Sequence, residues 1–305
     1  MNIFITGATG LIGRHLIQEL VLTPSIQLFA LTRNQQKAQA ILPKQVTVFS
    51  SLNDCDFNNM DVVINLAGEP IADKRWTTKQ KHKICQSRWQ LTQQLADKIN
   101  NAETPPQCFI SGSAIGFYGR QTETKITESF ELSHQEFTHD VCQTWENIAL
   151  STQAVTRVCI LRTGIVLDKH QGALSKMLLP FKLGLGGPIG NGEQYMSWIH
   201  KQDMVNIITT LIHNQALSGI INATAPSPVT NQEFSKTLAT ILNRPCICRV
   251  PKTVLRLLLG EMADLVLYGQ NVVPEKLLNS GFKFQYSTLT SALENIFKNN
   301  KTSTS

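Results

Sequence analysis

The sequence predicts an α/β fold, namely a doubly wound parallel sheet with a smaller, mostly helical C-terminal lobe. Three observations support this prediction. Short apolar runs rich in Ile, Val and Phe alternate with helix-like segments over roughly the first 170 residues. A glycine pattern stands at the first junction of strand and helix. The later part of the chain changes to glycine- and proline-rich stretches and short helices, as expected for a second unit beside the sheet.

The strands and helices are predicted from hydrophobic periodicity. Helices are expected over residues 11–20, 74–100 and 136–150. Because strands that alternate with helices need crossover connections, the sheet is parallel and covered on both faces. The apolar runs typical of its buried strands are NIFITG, IQLFALT, VTVFS, DVVINLAG, QCFISGS and RVCILRTGIVL.

The chain is expected to divide into two domains. The sheet domain covers residues 1–170, with a strand and a helix returning at about 200–225, and the cap lobe covers residues 171–199 and 226–298. LLPFKLGLGGPIGNGEQ indicates a loop with a hairpin or short helix. GIINATAPSPVTNQEF indicates a strand and then a helix capped by Thr230, with Glu233 three residues later. Residues 299–305 are predicted to form a disordered tail.

Composition limits the class of protein. The 305 residues are 42% hydrophobic and 16% charged, as in ordinary globular proteins. The net charge is +6, but Lys and Arg are scattered, which argues against nucleic-acid binding. No run approaches the ~18 apolar residues of a membrane span, and MNIFITGATG lacks the basic region of a signal peptide. We expect a soluble, cytoplasmic protein with no nucleic-acid or membrane partner.

The seven cysteines show no CxxC spacing, and most lie among apolar neighbours. The sequence therefore predicts neither a disulfide framework nor a zinc site, and no bound metal.

The stretch ITGATGLIG predicts a dinucleotide-binding turn. Gly7 permits a tight turn, Gly10 lets the backbone approach a pyrophosphate, and Gly13 lets helix and strand pack closely. The phosphates would meet free N–H groups at the positive end of a helix. A tight turn without a ligand is the alternative, but the position of the pattern inside a βαβ unit favours the dinucleotide. The intervening residues of the predicted site are Thr9, Leu11 and Ile12.

The end of the second strand predicts which dinucleotide is bound. Its sequence is ALTRN, and Arg33 falls twenty residues after Gly13. An acidic residue near this point would bind the ribose 2′-hydroxyl of NAD. Thr32 and Arg33 offer a hydroxyl and a guanidinium instead, which suit a 2′-phosphate. A solvated arginine at a strand end is the alternative, but the sequence favours NADP (NADPH) as the cofactor.

These motifs resemble those of the extended and atypical short-chain dehydrogenase/reductases, the sugar-nucleotide epimerase/dehydratase group. GATGLIG is similar to the glycine motif, NLAG to the turn after the fourth strand, and SGSAIGFYG to the strand that carries the serine. The strongest resemblance is to an atypical branch labelled YfcH-like or SDR39U1-like. Its features run the length of the chain: NLAGEPI, Ser87–Arg88, LRTGIVL, LPFKLGLGGPIGNGEQ, WIHKQD, NATAPSPVTNQEF and LGEMADLVLYGQNVVPEKLLNSGFKF.

The resemblance implies an NADP-binding Rossmann domain with a C-terminal cap. Arg88 stands where typical members keep an asparagine, and Arg162 would approach the nicotinamide half of the cofactor. Family members often form dimers through a two-helix face, so a homodimer is the implied assembly. The same comparison implies that Leu66, Ala67 and Gly68 line the adenosine and ribose of the cofactor, and that Lys83 and Ser111 also contact it.

The chain departs from the family at its catalytic residues. Typical members use a serine, a tyrosine and a lysine, and the tyrosine passes a proton while the hydride moves. Alignment on Glu146 puts Thr138 at the tyrosine and Cys142 at the lysine, while Ser113 keeps the serine position. Because a threonine is a far weaker acid than a phenol and a thiol carries no positive charge, the usual mechanism cannot operate.

Other residues could take over this chemistry. Tyr118, five residues beyond Ser113, is a candidate catalytic group, with the anchoring of a loop as its alternative. His200 titrates near neutral pH and could act as a base. However, its WIHKQD segment resembles scaffold of extended family members, in which Asp203 would cap the next helix.

Two hypotheses about function remain. The first is an NADP-dependent oxidoreductase or epimerase with relocated acid–base groups, acting on an unknown small oxygenated substrate between residues 183–192 and the C-terminal lobe. The retained Ser113 and the glycine-rich cap favour it. The second is a non-catalytic NADP-sensing protein in which the bound cofactor orders that loop, and the missing Tyr–Lys pair favours it. The sequence favours the enzyme by a small margin.

Overall fold

The computed structural model describes residues 1–298, so the predicted tail at 299–305 lies outside the described residues. The strands in chain order are β1 Asn2–Thr6, β2 Gln27–Leu31, β3 Val46–Phe49, β4 Val62–Asn65, β5 Cys108–Ala114, β6 Lys125–Ile126, β7 Arg157–Thr163, β8 Ile165–Leu167, β9 Tyr195–Met196, β10 Trp198–His200, β11 Gly219–Ala223, β12 Val229–Thr230 and β13 Asn271–Val272.

The α-helices lie between and after these strands. They are α1 Leu11–Leu20, α2 Gln35–Ile41, α3 Thr78–Asn100, α4 Phe137–Leu150, α5 Gly172–Lys182, α6 Lys201–His213, α7 Asn231–Ile241, α8 Lys252–Leu259, α9 Asp264–Leu267, α10 Glu275–Asn279 and α11 Leu289–Lys298. None of the helices within residues 1–298 is long and apolar enough to cross a membrane.

Seven parallel strands form the main sheet in the order β3-β2-β1-β4-β5-β7-β11. The predicted doubly wound α/β fold is therefore confirmed. The strand order reverses between β1 and β4, and in such sheets a ligand lies at the carboxyl edge beside this switch point. A dinucleotide then spans the edge, with one half over β1 to β3 and the other over β4, β5 and β7.

The apolar strand sequences follow from burial on both faces. On one face Ile64 packs in a cluster with residues of α1 and α6, including Leu16 and Ile208. On the other face Phe109 packs with residues of α3 and α4, including Leu95. A central strand covered on both sides needs apolar residues at successive positions, which explains runs such as VVIN.

Two boundaries differ from the prediction. The third helix begins at Thr78 rather than at 74, because the side chain of Thr77 accepts a hydrogen bond from the backbone N–H of Gln80 and so ends the irregular segment before it. The run RVCILRTGIVL forms two strands instead of one. The chain leaves the main sheet at Gly164, and Ile165–Leu167 pairs with Trp198–His200.

The remaining strands pair outside the main sheet. Two further short pairings occur, β9 with β12 and β6 with β13. A second hydrophobic core, outside the main sheet, includes Trp198, Leu178 and Phe234. The predicted cap of α7 is confirmed, since the hydroxyl of Thr230 accepts a hydrogen bond from the N–H of Glu233. The division of the chain into two domains stays a prediction.

Candidate nucleotide-binding site

The glycine turn after β1 is a cradle that excludes side chains. Gly7 has φ +72°, and a Cβ at this position would lie 2.6 Å from the carbonyl carbon of Leu66. A Cβ at Gly13 would lie 2.4 Å from the carbonyl oxygen of Gly7. Only glycine combines the left-handed conformation with this close approach of backbone segments.

The turn leads into a helix end that fits a phosphate group. Gly10 is the N-cap of α1 and provides no side-chain hydrogen bond to it. The first N–H groups of a helix have no partner within the helix, and they attract anions. Leu11 and Ile12 supply two of these groups, and Thr9 lies in the preceding turn. The residues present therefore fit a pyrophosphate.

The end of β2 presents a cation to solvent beside this cradle. Thr32 accepts a hydrogen bond from the N–H of Asn34, and Asn34 in turn caps α2 through the N–H of Lys37. Arg33 lies between them and is exposed. Its guanidinium makes no ion pair within residues 1–298. This arrangement leaves Arg33 available to an anionic ligand.

The segment after β4 is tied to the end of β1. The hydroxyl of Thr6 donates to the side-chain oxygen of Asn65 over 2.6 Å and accepts a hydrogen bond from the N–H of Ala67 over 3.3 Å. Leu66 and Ala67 are half-buried, and Gly68 is exposed. Leu66, Ala67 and Gly68 therefore continue the same groove past the switch point.

Arg88 of α3 packs against the segment of residues 66–68 that follows β4. Its Nη1 donates to the carbonyl oxygens of Glu69 and Ile84, each over 3.0 Å. A Cβ at Gly68 would lie 2.9 Å from its Cζ. The guanidinium also stands 5.2 Å from the centre of the Trp145 ring. Burial lowers the pKa of Arg88, but an arginine remains protonated in proteins.

The serine on β5 belongs to a buried polar network. The Ser113 hydroxyl donates to Oε1 of Glu146 over 2.6 Å. Arg162 of β7 donates to both oxygens of the same carboxylate, over 2.9 Å and 2.7 Å. All three side chains are at most 5% exposed. Because a carboxylate can only accept, the serine proton points into the protein, and the charge of Arg162 is neutralised.

Tyr118 is held in the interior. Its side chain is 0% exposed, and its hydroxyl donates to Oδ1 of Asn222 over 2.8 Å. Burial raises the pKa of this phenol. The Arg162 guanidinium lies over the neighbouring Phe117 ring, 3.4 Å from its centre. These contacts favour the alternative in which Tyr118 anchors the loop after β5.

The two replaced positions are also buried. Thr138 is 7% exposed and donates to the Glu136 carboxylate over 3.0 Å. Cys142 is 4% exposed, and burial raises the pKa of its thiol to about 11. The nearby Glu146 carboxylate also raises the pKa of this thiol, while the Ser113 hydroxyl and the charge of Arg88 act to lower it. Arg88 belongs to another helix, so the local sequence around Cys142 does not indicate that this charge acts on the thiol.

His200 and Asp203 have structural partners. His200 is 2% exposed, and its Nδ1 accepts a hydrogen bond from the N–H of Gln202, so it caps α6. The expectation that Asp203 caps this helix is wrong. Its carboxylate accepts from the N–H groups of Gln285 and Tyr286 and fastens the chain before α11.

Two further predicted contacts differ in position. Ser111 is 0% exposed, and its hydroxyl donates to the carbonyl of Gly112, so the structure does not bring it to the groove. Lys83 is half-exposed and pairs with Glu69 over 3.0 Å. Lys83, through its hydrogen bond, holds the pKa of the Glu69 carboxyl below its usual range. Glu69 directly follows Gly68, so this ion pair stands at the groove.

Sequence reasoning missed the role of Glu146, which served only to align the helix. A glutamate on the inward face of α4, beside Trp145, was a signal of a buried partner. Among residues 1–298, no group of three or more His, Cys, Asp and Glu side chains could hold a metal ion.

The fold and the site define a nucleotide-binding protein of the short-chain dehydrogenase/reductase type. Residues 3–223 match the model of the NAD dependent epimerase/dehydratase family, and residues 250–296 match a domain of unknown function, DUF1731. The chain belongs to the NAD dependent epimerase/dehydratase family and is an NAD(P)-binding protein related to SDR39U1.

Its similarity to known proteins extends over the full fold. An Arabidopsis thaliana protein, the chloroplastic homolog of epimerase family protein SDR39U1, is 38% identical over 98% of this chain and 87% of its own. Epimerase family protein YfhF of Bacillus subtilis is 36% identical over 99% of this chain and 100% of its own.

Solved structures show the same architecture. The human epimerase family protein SDR39U1 (isoform 2), solved with NADPH, has TM-score 0.90 and 31% identity over 98% of this chain and 100% of its own. UDP-glucuronic acid 4-epimerase from Bacillus cereus, solved with UDP-glucuronic acid and NAD, has TM-score 0.78 over 98% of this chain and 99% of its own. At 17% identity, this second similarity concerns the fold alone.

Proposed function

We propose that the protein binds NADP(H) and serves as an NADP(H)-responsive regulatory protein rather than as a dehydrogenase of the usual kind. One observation carries the proposal: the hydroxyl of Ser113, which in typical members holds the substrate oxygen, donates to the buried Glu146 carboxylate over 2.6 Å. With Thr138 and Cys142 at the other two positions, the usual proton relay has no donor facing the groove.

The choice of NADP(H) over NAD(H) is supported by the exposed Arg33. Its guanidinium is free of carboxylates within the described residues, and it stands at the end of β2, where the 2′-phosphate would lie. The related human protein was solved with NADPH. When bound, NADP(H) would supply hydride chemistry, and this chain would contribute its binding and orientation.

The test combines binding with turnover. Fluorescence titration of the purified protein with NADPH and NADH measures affinity, and absorbance at the nicotinamide band in a mixture of sugar nucleotides and small carbonyl compounds measures oxidation. The proposal expects tight, NADPH-selective binding without turnover. Steady oxidation of NADPH that depends on the mixture would overturn the regulatory role, and absence of binding would overturn the cofactor assignment as well.

A second candidate function is an NADP-dependent oxidoreductase or epimerase with relocated acid–base groups. The specific observation in its favour is the Glu69–Lys83 ion pair, a carboxylate and an ammonium 3.0 Å apart directly after the NLAG segment. These groups could exchange a proton with a hydroxyl of a bound substrate. Under this alternative, Glu69→Gln abolishes turnover in the metabolite mixture and leaves NADPH affinity within about twofold.

Restoring the usual pair separates loss of the site from its relocation. The double variant Thr138→Tyr, Cys142→Lys supplies both the phenol and the ammonium. Reductase activity that appears only in the double variant indicates that the ancestral site was lost, as the regulatory proposal requires. If the wild type already has reductase activity and the double variant loses it, the acid–base groups have been relocated.

A further inference from the structure

We propose that Arg88 is the residue by which the protein distinguishes the redox state of the nicotinamide, favouring NADPH over NADP⁺. The inference rests on the proposed binding of NADP(H) and deepens it. The oxidised nicotinamide ring carries a positive charge, and the reduced ring is neutral. A fixed cation beside the ring therefore weakens binding of the oxidised form alone.

Arg88 lies between the segment after β4 and helix α4, on the side of the switch point where the nicotinamide half would bind. It contacts the segment after β4 through Gly68 and the carbonyl of Glu69. It also lies against α4, which packs on β5, with its guanidinium 5.2 Å from the centre of the Trp145 ring. The strands β4 and β5 lie on the far side of the switch point from β2, and Arg33 follows the end of β2. In this fold the switch point also separates the adenosine half of a bound dinucleotide from its nicotinamide half.

The charge of Arg88 is not matched by a directly paired carboxylate, although the Glu69 carboxylate acts on it from a longer distance. Both of its hydrogen-bond acceptors are backbone carbonyl oxygens, and it forms no ion pair among residues 1–298. Arg162, the other arginine on this side of the sheet edge, is neutralised by Glu146. Lys83 is neutralised by Glu69 and is half-exposed to solvent. Of these three cations, only Arg88 has no carboxylate within ion-pair distance among the described residues.

The guanidinium also has donors directed at the groove segment. A Cβ at Gly68 would lie 3.1 Å from Nη2 and 3.2 Å from Nε of Arg88. In the part of the chain that the structure describes, these two nitrogens have no hydrogen-bond partner, since both bonds use Nη1. Arg88 thus approaches from α3 the space that a lysine at position 142 would enter from α4. A cation on α3 would then supply the charge that α4 lacks at position 142.

The experiment measures the dissociation constants of NADPH and NADP⁺ for the wild type and for variants at position 88. The wild type is expected to bind NADPH more tightly. Arg88→Met and Arg88→Gln remove the charge, and the NADP⁺-to-NADPH ratio of dissociation constants should fall about tenfold. Arg88→Lys should keep the ratio. Arg88→Gln retains a donor for the two carbonyls, so it tests the charge even where the methionine variant folds poorly.

Two further variants separate electrostatics from structure. Arg33→Met should weaken both nucleotides equally and leave the ratio unchanged, because the 2′-phosphate is the same in both redox states. Adding Cys142→Lys to Arg88→Gln should restore the ratio, because the lysine supplies the missing charge. The lysine cannot replace the hydrogen bonds of Arg88 to the carbonyls of Glu69 and Ile84, so a restored ratio reports on charge and not on structure. The inference is overturned if the wild type binds NADP⁺ and NADPH with equal dissociation constants. It is also overturned if the ratio of these constants is the same in Arg88→Gln and Arg88→Lys. Both outcomes leave the proposed binding of NADP(H) intact. No binding of either nucleotide overturns the proposed function itself.

Discussion

Arg162 and Glu146 form a bidentate ion pair in the interior, with Nε 2.9 Å from Oε1 and Nη2 2.7 Å from Oε2. Their side chains are 2% and 4% exposed. The pair joins β7 to α4, the helix that carries both replaced catalytic positions. Ser113 adds a third hydrogen bond to the same carboxylate. The Ser113 hydroxyl and the Arg162 guanidinium are thus both satisfied by the Glu146 carboxylate.

Removing one partner of this pair should destabilise the protein strongly. Glu146→Ala leaves the Arg162 charge buried and unpaired, with an expected loss of about 3–5 kcal/mol in the free energy of unfolding. Urea denaturation measures it. The double variant Glu146→Leu, Arg162→Met should recover most of the loss, because no buried charge remains. A single variant within about 1 kcal/mol of the wild type would contradict this account.

The glycine cradle should be intolerant of a single methyl group. Gly7→Ala would place a Cβ 2.6 Å from the Leu66 carbonyl carbon, in a backbone conformation with φ +72°. We expect loss of NADPH binding and marked destabilisation. Gly281→Ala is the matched control, since Gly281 has φ +80° but nothing within 4 Å of its Cβ position. The control should lose only about 1 kcal/mol from backbone strain and keep NADPH affinity.

Arg33 should determine the preference for the phosphorylated cofactor. Arg33→Ala removes a charge-assisted contact to the 2′-phosphate, so NADPH affinity should fall about 10- to 100-fold. NADH lacks this phosphate, and its affinity should change little. Fluorescence titration with both nucleotides checks the prediction. An equal loss for the two would show that Arg33 does not contact the 2′-phosphate.

His200 should make the stability depend on pH. Burial, followed by the nearby Lys201 charge, lowers its pKa from 6.5 to about 4. Between these values the unfolded chain binds the proton and the folded chain does not, so unfolding is favoured as pH falls. The contribution is present above pH 6.5 and is lost towards pH 4, amounting to about 3 kcal/mol.

The control for this prediction is His200→Asn, which keeps an acceptor for the Gln202 N–H but does not titrate. Glu128 and Asp203, whose pKa values are raised by burial, shift stability in the opposite direction in both proteins. The difference between wild type and variant therefore isolates the histidine. Thermal unfolding between pH 7 and pH 4 should show a steeper decline for the wild type. Parallel profiles would refute the assignment.

Much of the fold and half of the groove could be predicted from local sequence. The alternation of apolar runs with helical segments determined the parallel sheet, because each run must be covered on both faces. ITGATGLIG determined the cradle, since the φ of Gly7 and the approach of Gly13 to the Gly7 carbonyl are properties of a few adjacent residues, whereas the approach of Gly7 to Leu66 depends on the pairing of β1 with β4. The absence of the tyrosine and lysine was likewise visible from Thr138 and Cys142.

Tertiary structure alone decided how the polar residues pair. The packing of α4 against β5 decides whether the Ser113 hydroxyl faces the groove or bonds to Glu146. The hydrogen-bond partner of Tyr118 is Asn222, which lies 104 residues further along the chain. Arg88 lies over the Trp145 ring only because two helices pack side by side. Periodicity states which face of an element is buried. It does not state which polar groups meet there, because the partner of a buried charge is chosen by packing between segments distant in sequence.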